Sequence, residues 1–249
     1  MIELILIIFA AILPAFLLVL YIWWRDKYQR EPFSQVARGV FFGVVAAGIA
    51  ALLELGIQFI GLVSSEPVHF GSAIWAAFAG AAFPEECAKL LMLSLLLRNN
   101  RYFDERFDGI VYACAVGMGF AGTENIIYLL GNINEWETVA IQRAMFAVPG
   151  HFLFAVAMGY FYSLVYFGDM SWRRQGRILW IPVLLHGIYD ALLFMVNLGT
   201  ILSGVLLVAF YIFCFLLFRR GKNSINEHIR RDENDPNQVA FWRKKPNKR

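Results

Sequence analysis

Glu85 and Glu86 stand side by side in Phe83-Pro84-Glu85-Glu86-Cys87-Ala88-Lys89-Leu90, with Lys89 three and four residues further on. The surrounding sequence is apolar. A charge at the centre of a membrane helix costs about 2.5 to 3.5 kcal/mol on insertion scales, so three within five residues imply a use. At helical spacing Lys89 reaches both carboxylates. Adjacent residues diverge by about 100°, which lets one glutamate pair with the lysine while the other takes a proton as general base. Which of the two does so is open at this stage. Further along come Phe120, Glu124 and Asn125, then His151 after Pro149-Gly150, then His186 and Asp190 at i,i+4 on one helix face. A carboxylate with histidines that stabilise an oxyanion or donate a proton can hydrolyse an amide. The set Glu85, Glu86, Glu124, His151 and His186 offers equally the donor types that hold zinc. Both chemistries stand.

The elements that must position these residues follow from composition. Of 249 residues, 59% are hydrophobic and 16% charged, with mean hydropathy +0.57. These values describe an all-α polytopic membrane protein rather than a soluble domain. Apolar stretches at 2–24, 40–63, 70–97, 110–130, 147–167, 178–198 and 201–218 each approach or exceed the roughly 20 residues of a helical span, which makes seven transmembrane helices. Strand-like alternation is absent, so a β-barrel is not expected. The first stretch lacks a basic leader and is too long for a cleaved signal, so it reads as a retained span.

All basic residues except Lys89 and Arg143 fall in the connections after spans one, three and five or in the tail. The positive-inside rule then places the N-terminus outside and the C-terminus in the cytoplasm. The net charge of +3 reflects this asymmetry and points to anionic lipid, with no nucleic-acid partner. Two domains are expected: a transmembrane helical unit over 1–220 and a polar, flexible cytoplasmic tail over 221–249. Phe241 and Trp242 in the tail read as part of an unstructured end.

Span three is too long for one straight crossing, about 43 Å against a core of roughly 30 Å, so a break at Pro84 is expected. Glu85 and Glu86 would then sit in the positive first turn of a new helix. Depth counted from the basic loops puts Glu85, Glu86 and Asp190 about 18 to 20 Å in, His186 about 14 Å, and Glu124 and His151 near 25 Å. Four spans thus deliver polar groups to one middle-to-outer layer.

Blander readings accompany each feature. The Glu-Glu-Lys group is otherwise a buried ion pair between helices, and a lone intramembrane histidine is more often a packing residue. Arg143, assigned to the outer side, either clamps substrate or contacts headgroups. Glu54 reads as structural. Gly117-Met118-Gly119-Phe120-Ala121-Gly122 matches a dinucleotide fingerprint only formally, since small residues in a membrane helix serve close packing. Cys87, Cys114 and Cys214 read as small buried residues. A proton-coupled transporter or a seven-span receptor would also place carboxylates near the midplane, but no repeat of broken helices is visible and span seven holds no lysine for a Schiff base.

The order Glu85-Glu86-x-x-Lys89, then Phe120-x-x-x-Glu124, then His186-x-x-x-Asp190, each in its own span, resembles the PrsW family of intramembrane proteases. That family is related to CAAX-processing and bacteriocin-processing membrane proteases. Those relatives typically carry histidine where this chain has Glu124 and arginine where it has Lys89, which favours the PrsW branch. The resemblance implies a bacterial cytoplasmic-membrane peptidase that makes the first, outer-side cut in a single-span anti-sigma factor. Together with the shared depth of His151, it points to a site at Glu85, Glu86, Glu124, His151, His186 and Asp190, with Lys89, Phe120, Asn125 and Arg143 as supporting residues. A glutamate-activated water is the preferred mechanism, with zinc the alternative.

Overall fold

The computed structural model describes residues 2–27, 29–64 and 66–235, and all regular structure among them is helical. Helix α1 spans Ile2–Arg25 and α2 spans Phe33–Phe59. A composite helix follows, with α3 at Phe70–Trp75, a π-helical stretch at Ala76–Ala82 and α4 at Phe83–Leu97. Helix α5 covers Arg106–Gly131. A second composite joins α6 at Trp136–Gln142, a π-helical stretch at Arg143–Ala147 and α7 at Val148–Tyr166. Helices α8, Arg177–Asn197, and α9, Ser203–Glu233, complete the bundle.

Among the described residues six helical units are long and apolar enough to cross a membrane, one fewer than the seven expected; the charge-bearing composite over 70–97 packs among them. Helix α5 lies at the centre, packed on α7, α2 and α1. Its span is 78% buried against 17% for α9. Outer helices instead present Leu52, Phe59, Phe41 and Val205, which suits contact with lipid. The small residues of α5 do what their size permits. A Cβ added at Gly119 would stand 2.0 Å from the Val40 carbonyl oxygen, so α2 and α5 touch backbone to backbone there.

Several expected boundaries move. Pro84 does not break its helix: Phe83 keeps right-handed helical angles, and its N–H donates to Phe78 O, five residues back. A proline removes one donor and its ring crowds the carbonyl four residues earlier, and the wider π turn relieves both at once. Pro149 has the same arrangement, with Val148 N–H donating to Arg143 O. The fifth expected span therefore begins before residue 147, and Arg143 lies inside it. The expected domain boundary at 220/221 falls inside α9, which continues to Glu233 with Gly221, Ile225, His228 and Asp232 buried. Asp232 explains part of that extension, since its carboxylate accepts the N–H groups of Arg106 at 3.0 Å and Phe107 at 2.8 Å at the start of α5. Phe241 and Trp242 lie outside the described residues.

Candidate active site

The composite helix 70–97 carries Glu85, Glu86 and Lys89 on its inward face, buried to 5%, 0% and 3% exposure. Lys89 Nζ is 3.1 Å from Glu85 Oε2 and 2.9 Å from Glu86 Oε1, the i,i+4 and i,i+3 pairs expected from spacing. It also lies 4.0 Å above the Phe120 ring of α5. Because the helix is continuous, the expected free N-terminus beneath the glutamates is not there. Their compensation comes from Lys89 and from His186.

Helix α8 brings in His186. A Cβ at Gly187 would lie 2.4 Å from the Phe78 ring, so only glycine lets α8 settle against the π-helical stretch. His186 Nδ1 then reaches Glu86 Oε1 at 3.0 Å, while Nε2 faces Asp190 Oδ2 at 3.2 Å and Glu85 Oε2 at 4.0 Å. The ring stacks on Phe154 of α7 at 4.7 Å between centroids. Both nitrogens face carboxylate oxygens, and a doubly protonated ring satisfies both as a donor.

Helix α7 contributes His151, whose Nδ1 is 3.1 Å from Lys89 Nζ and whose Nε2 is 2.9 Å from Glu124 Oε2 on α5. Arg143 closes the far side. Its guanidinium donates to Glu124 Oε2 at 2.5 Å and to Asn125 Oδ1 at 2.6 Å, and covers the Tyr128 ring at 4.0 Å. Asn125 Nδ2 in turn donates to Ala11 O of α1 at 3.0 Å. Arg143, expected to clamp substrate or contact headgroups, is paired inward with Glu124 and Asn125 in this structure. The widened π turn that holds it aims it at α5.

All ten expected residues, from four helical units, meet in one network. The floor is Glu86, and the more open rim is Glu124 and Asp190, with side chains 19% and 15% exposed. Glu54 of α2, read from the sequence as structural, lies near this network. It stands within electrostatic range of Glu85, Glu124, Lys89 and His186 and is partly exposed at the rim. Its depth alone signalled this.

One donor atom each from Glu85, Glu86, His151 and His186 lie within 4.8 Å of one another, and the buried Glu86 Oε2 has no hydrogen-bond partner. By type and convergence this set fits zinc. Lys89 Nζ is, however, within hydrogen-bond distance of three of the four residues, so a metal there would have to displace the ammonium.

Buried carboxylates, imidazoles and one ammonium opening on a polar rim inside an apolar bundle define a membrane-embedded hydrolase. Comparison with known proteins makes the assignment specific. A family model described as PrsW family intramembrane metalloprotease matches residues 31–218, and the chain belongs to that family. Relatives named Protease PrsW include those of Geobacillus kaustophilus, 37% identical over 75% of this chain and 79% of the relative, and Bacillus subtilis, 35% over 75% and 82%. That of Oceanobacillus iheyensis is 34% identical over 88% of this chain and 98% of its own length. No solved structure matches. The protein is a multi-pass cell-membrane peptidase.

Proposed function

We propose that the protein cleaves a peptide bond in a single-span membrane protein of the anti-sigma-factor type, on the outer side of the membrane, with Glu85 as the base that activates water. The carrying observation is the unequal burial and loading of the two glutamates: among the described residues each leaves one oxygen without a hydrogen bond, but that of Glu86 is sealed in the interior. Glu86 is fully buried and holds Lys89 and His186 through one oxygen. Glu85 gives only Oε2 to Lys89, and among the described residues no hydrogen bond engages its Oε1.

In this reading Glu85 Oε1 accepts a proton from a water as that water's oxygen attacks the scissile carbonyl carbon. His186, oriented by Asp190 and Glu86, donates toward the developing oxyanion and then to the departing amine. Glu86 positions Lys89 and His186, and Lys89 keeps charge balance as Glu85 gains and loses its proton. Glu124 and Arg143 form the rim that faces incoming backbone. The substrate class rests on the family resemblance, and the outer side on the placement of basic loops.

A second reading is favoured by the convergence of Glu85, Glu86, His151 and His186 and by the family's description. In it these four residues would hold zinc, and the ion would supply Lewis-acid polarisation of the scissile carbonyl.

The test is cleavage of a single-span reporter by the full chain in proteoliposomes. Glu85→Gln should lower kcat by at least about a hundredfold with folding intact, the usual scale of a lost general base. Glu86→Gln should lower both activity and thermal stability. A Glu85→Gln enzyme with wild-type turnover removes Glu85 from the role.

A further inference from the structure

A second polar cluster lies at the opposite end of α5 from Glu124. Asp26 follows α1, Glu31 precedes α2, and Glu105 and Asp108 open α5. Their exposures are 1%, 2%, 1% and 0%. One oxygen each from Asp26, Glu105 and Asp108 lie within 4.8 Å of one another.

The hydrogen bonds do not account for this charge. Asp26 Oδ2 accepts the Glu31 N–H at 2.9 Å, and Asp108 Oδ2 accepts the N–H groups of Asp104 and Glu105 at 3.0 and 2.6 Å. Glu31 Oε2 accepts the Tyr112 hydroxyl, and Gln29 is a neutral partner of Glu105. Glu105 Oε1 and Asp108 Oδ1 are buried and accept nothing. Among the described residues no lysine or arginine forms an ion pair with any of the four. Arg30 donates to the Asp26 backbone carbonyl at 3.2 Å, Arg25 donates to Asn226, and Arg106 is taken by Asp169, Asp232 and Asp235. Orphaned buried oxygens require a partner, and three converging carboxylates without nitrogen or sulfur donors match hard cations.

We propose that Asp26, Glu105 and Asp108 bind one hard divalent cation, Mg²⁺ or Ca²⁺, on the side that the basic loops assign to the cytoplasm. Bound there, the ion ties the α1–α2 connection to the first turn of α5. That helix carries Phe120, Glu124 and Asn125, with Glu124 about 24 Å further along its axis. The site is chemically distinct from the carboxylate-imidazole set at the other end, so the two discriminate between metals.

The full-length chain, purified in detergent and stripped with EDTA, should be titrated with Mn²⁺ as an oxygen-preferring spin probe, with Mg²⁺ as competitor. The expected result is one Mn²⁺ per chain displaced by Mg²⁺, weakened at least tenfold by Asp26→Asn and by Asp108→Asn and retained in Glu86→Gln. Mg²⁺ should also raise the melting temperature of the wild type but not of Asp26→Asn. If Asp108→Asn fails to fold, Asp26→Asn and the wild-type titration decide. Absence of bound Mn²⁺, or binding lost in Glu86→Gln and kept in Asp26→Asn, overturns the proposal.

Discussion

Lys89 Nζ lies 3.1 Å from His151 Nδ1, and an ammonium can only donate, so His151 accepts through Nδ1 and carries its proton on Nε2. That proton points at Glu124 Oε2, 2.9 Å away. The ring is therefore held as one neutral tautomer, with both nitrogens committed. In the proposed mechanism His151 positions Lys89 and Glu124, while His186, doubly protonated between two carboxylates, is the ring with a proton to give.

This division separates the two histidines experimentally. His186→Gln should abolish cleavage to below about one hundredth, whereas His151→Gln should cost roughly tenfold and leave the shape of the pH–rate profile unchanged. Single-turnover cleavage across pH 5 to 9 reads both. A profile altered by His151→Gln and not by His186→Gln reverses the assignment.

Lys89 neutralises two buried carboxylates. Lys89→Met should destabilise the protein by about 3 to 5 kcal/mol, the scale for stripping one partner from a buried ion pair. Adding Glu86→Gln to it should recover part of that loss, so the double variant unfolds at a higher temperature than Lys89→Met alone. Strict additivity in detergent melts is the contrary result.

Arg143 holds Glu124 and Asn125 through two different nitrogens. Arg143→Lys keeps the charge without the fork, and is expected to lower kcat about tenfold with KM little changed. A rise in KM alone, from steady-state cleavage, would mean that Arg143 binds substrate directly.

The α2–α5 crossing has no room for a methyl group at Gly119. Gly119→Ala should cost about 1 to 3 kcal/mol through overpacking. Gly48→Ala, with nothing within 4 Å of the added carbon, should be neutral or slightly stabilising in the same melting assay.

For the metal, elemental analysis of the active full-length protein combined with a chelator titration separates the two readings. Full turnover without stoichiometric zinc is expected for the glutamate-water mechanism. Zinc lost in step with activity would transfer the role to the Glu85, Glu86, His151 and His186 set.

Much of the site was legible because it rests on local spacing and on depth. Glu85, Glu86 and Lys89 pair through helix geometry that any reader of the sequence can draw, and counting residues from the basic loops put Glu124, His151, His186 and Asp190 in one layer. What escaped depends on neighbours in space. Pro84 reads as a break from its own chemistry, and only the π-helical hydrogen bonds upstream show how the helix passes through it. Arg143 reads as a loop residue until Glu124 and Asn125 are seen facing it. Glu54 sits in an apolar run without a motif, so only its depth set it apart from a buried packing residue. The extension of α9 to Glu233 relies on Asp232 capping α5, a contact 126 residues apart in the chain.

The two π-helical stretches give the bundle a way to set rotational phase. A π turn holds about one residue more than an α turn, and one residue is about 100° of rotation. The faces of α3 and α6 are thereby uncoupled from the faces of α4 and α7. The outer segments can follow the demands of lipid and solvent while Glu85, Glu86 and His151 stay turned inward. A one-residue deletion inside Ala76–Ala82 or Arg143–Ala147 would return the helix to a regular pitch and swing its outer segment around the axis. Because the same turns carry the helices past Pro84 and Pro149, and the second aims Arg143 at Glu124, such deletions should cost stability in both composite helices and the Arg143 contact in the second.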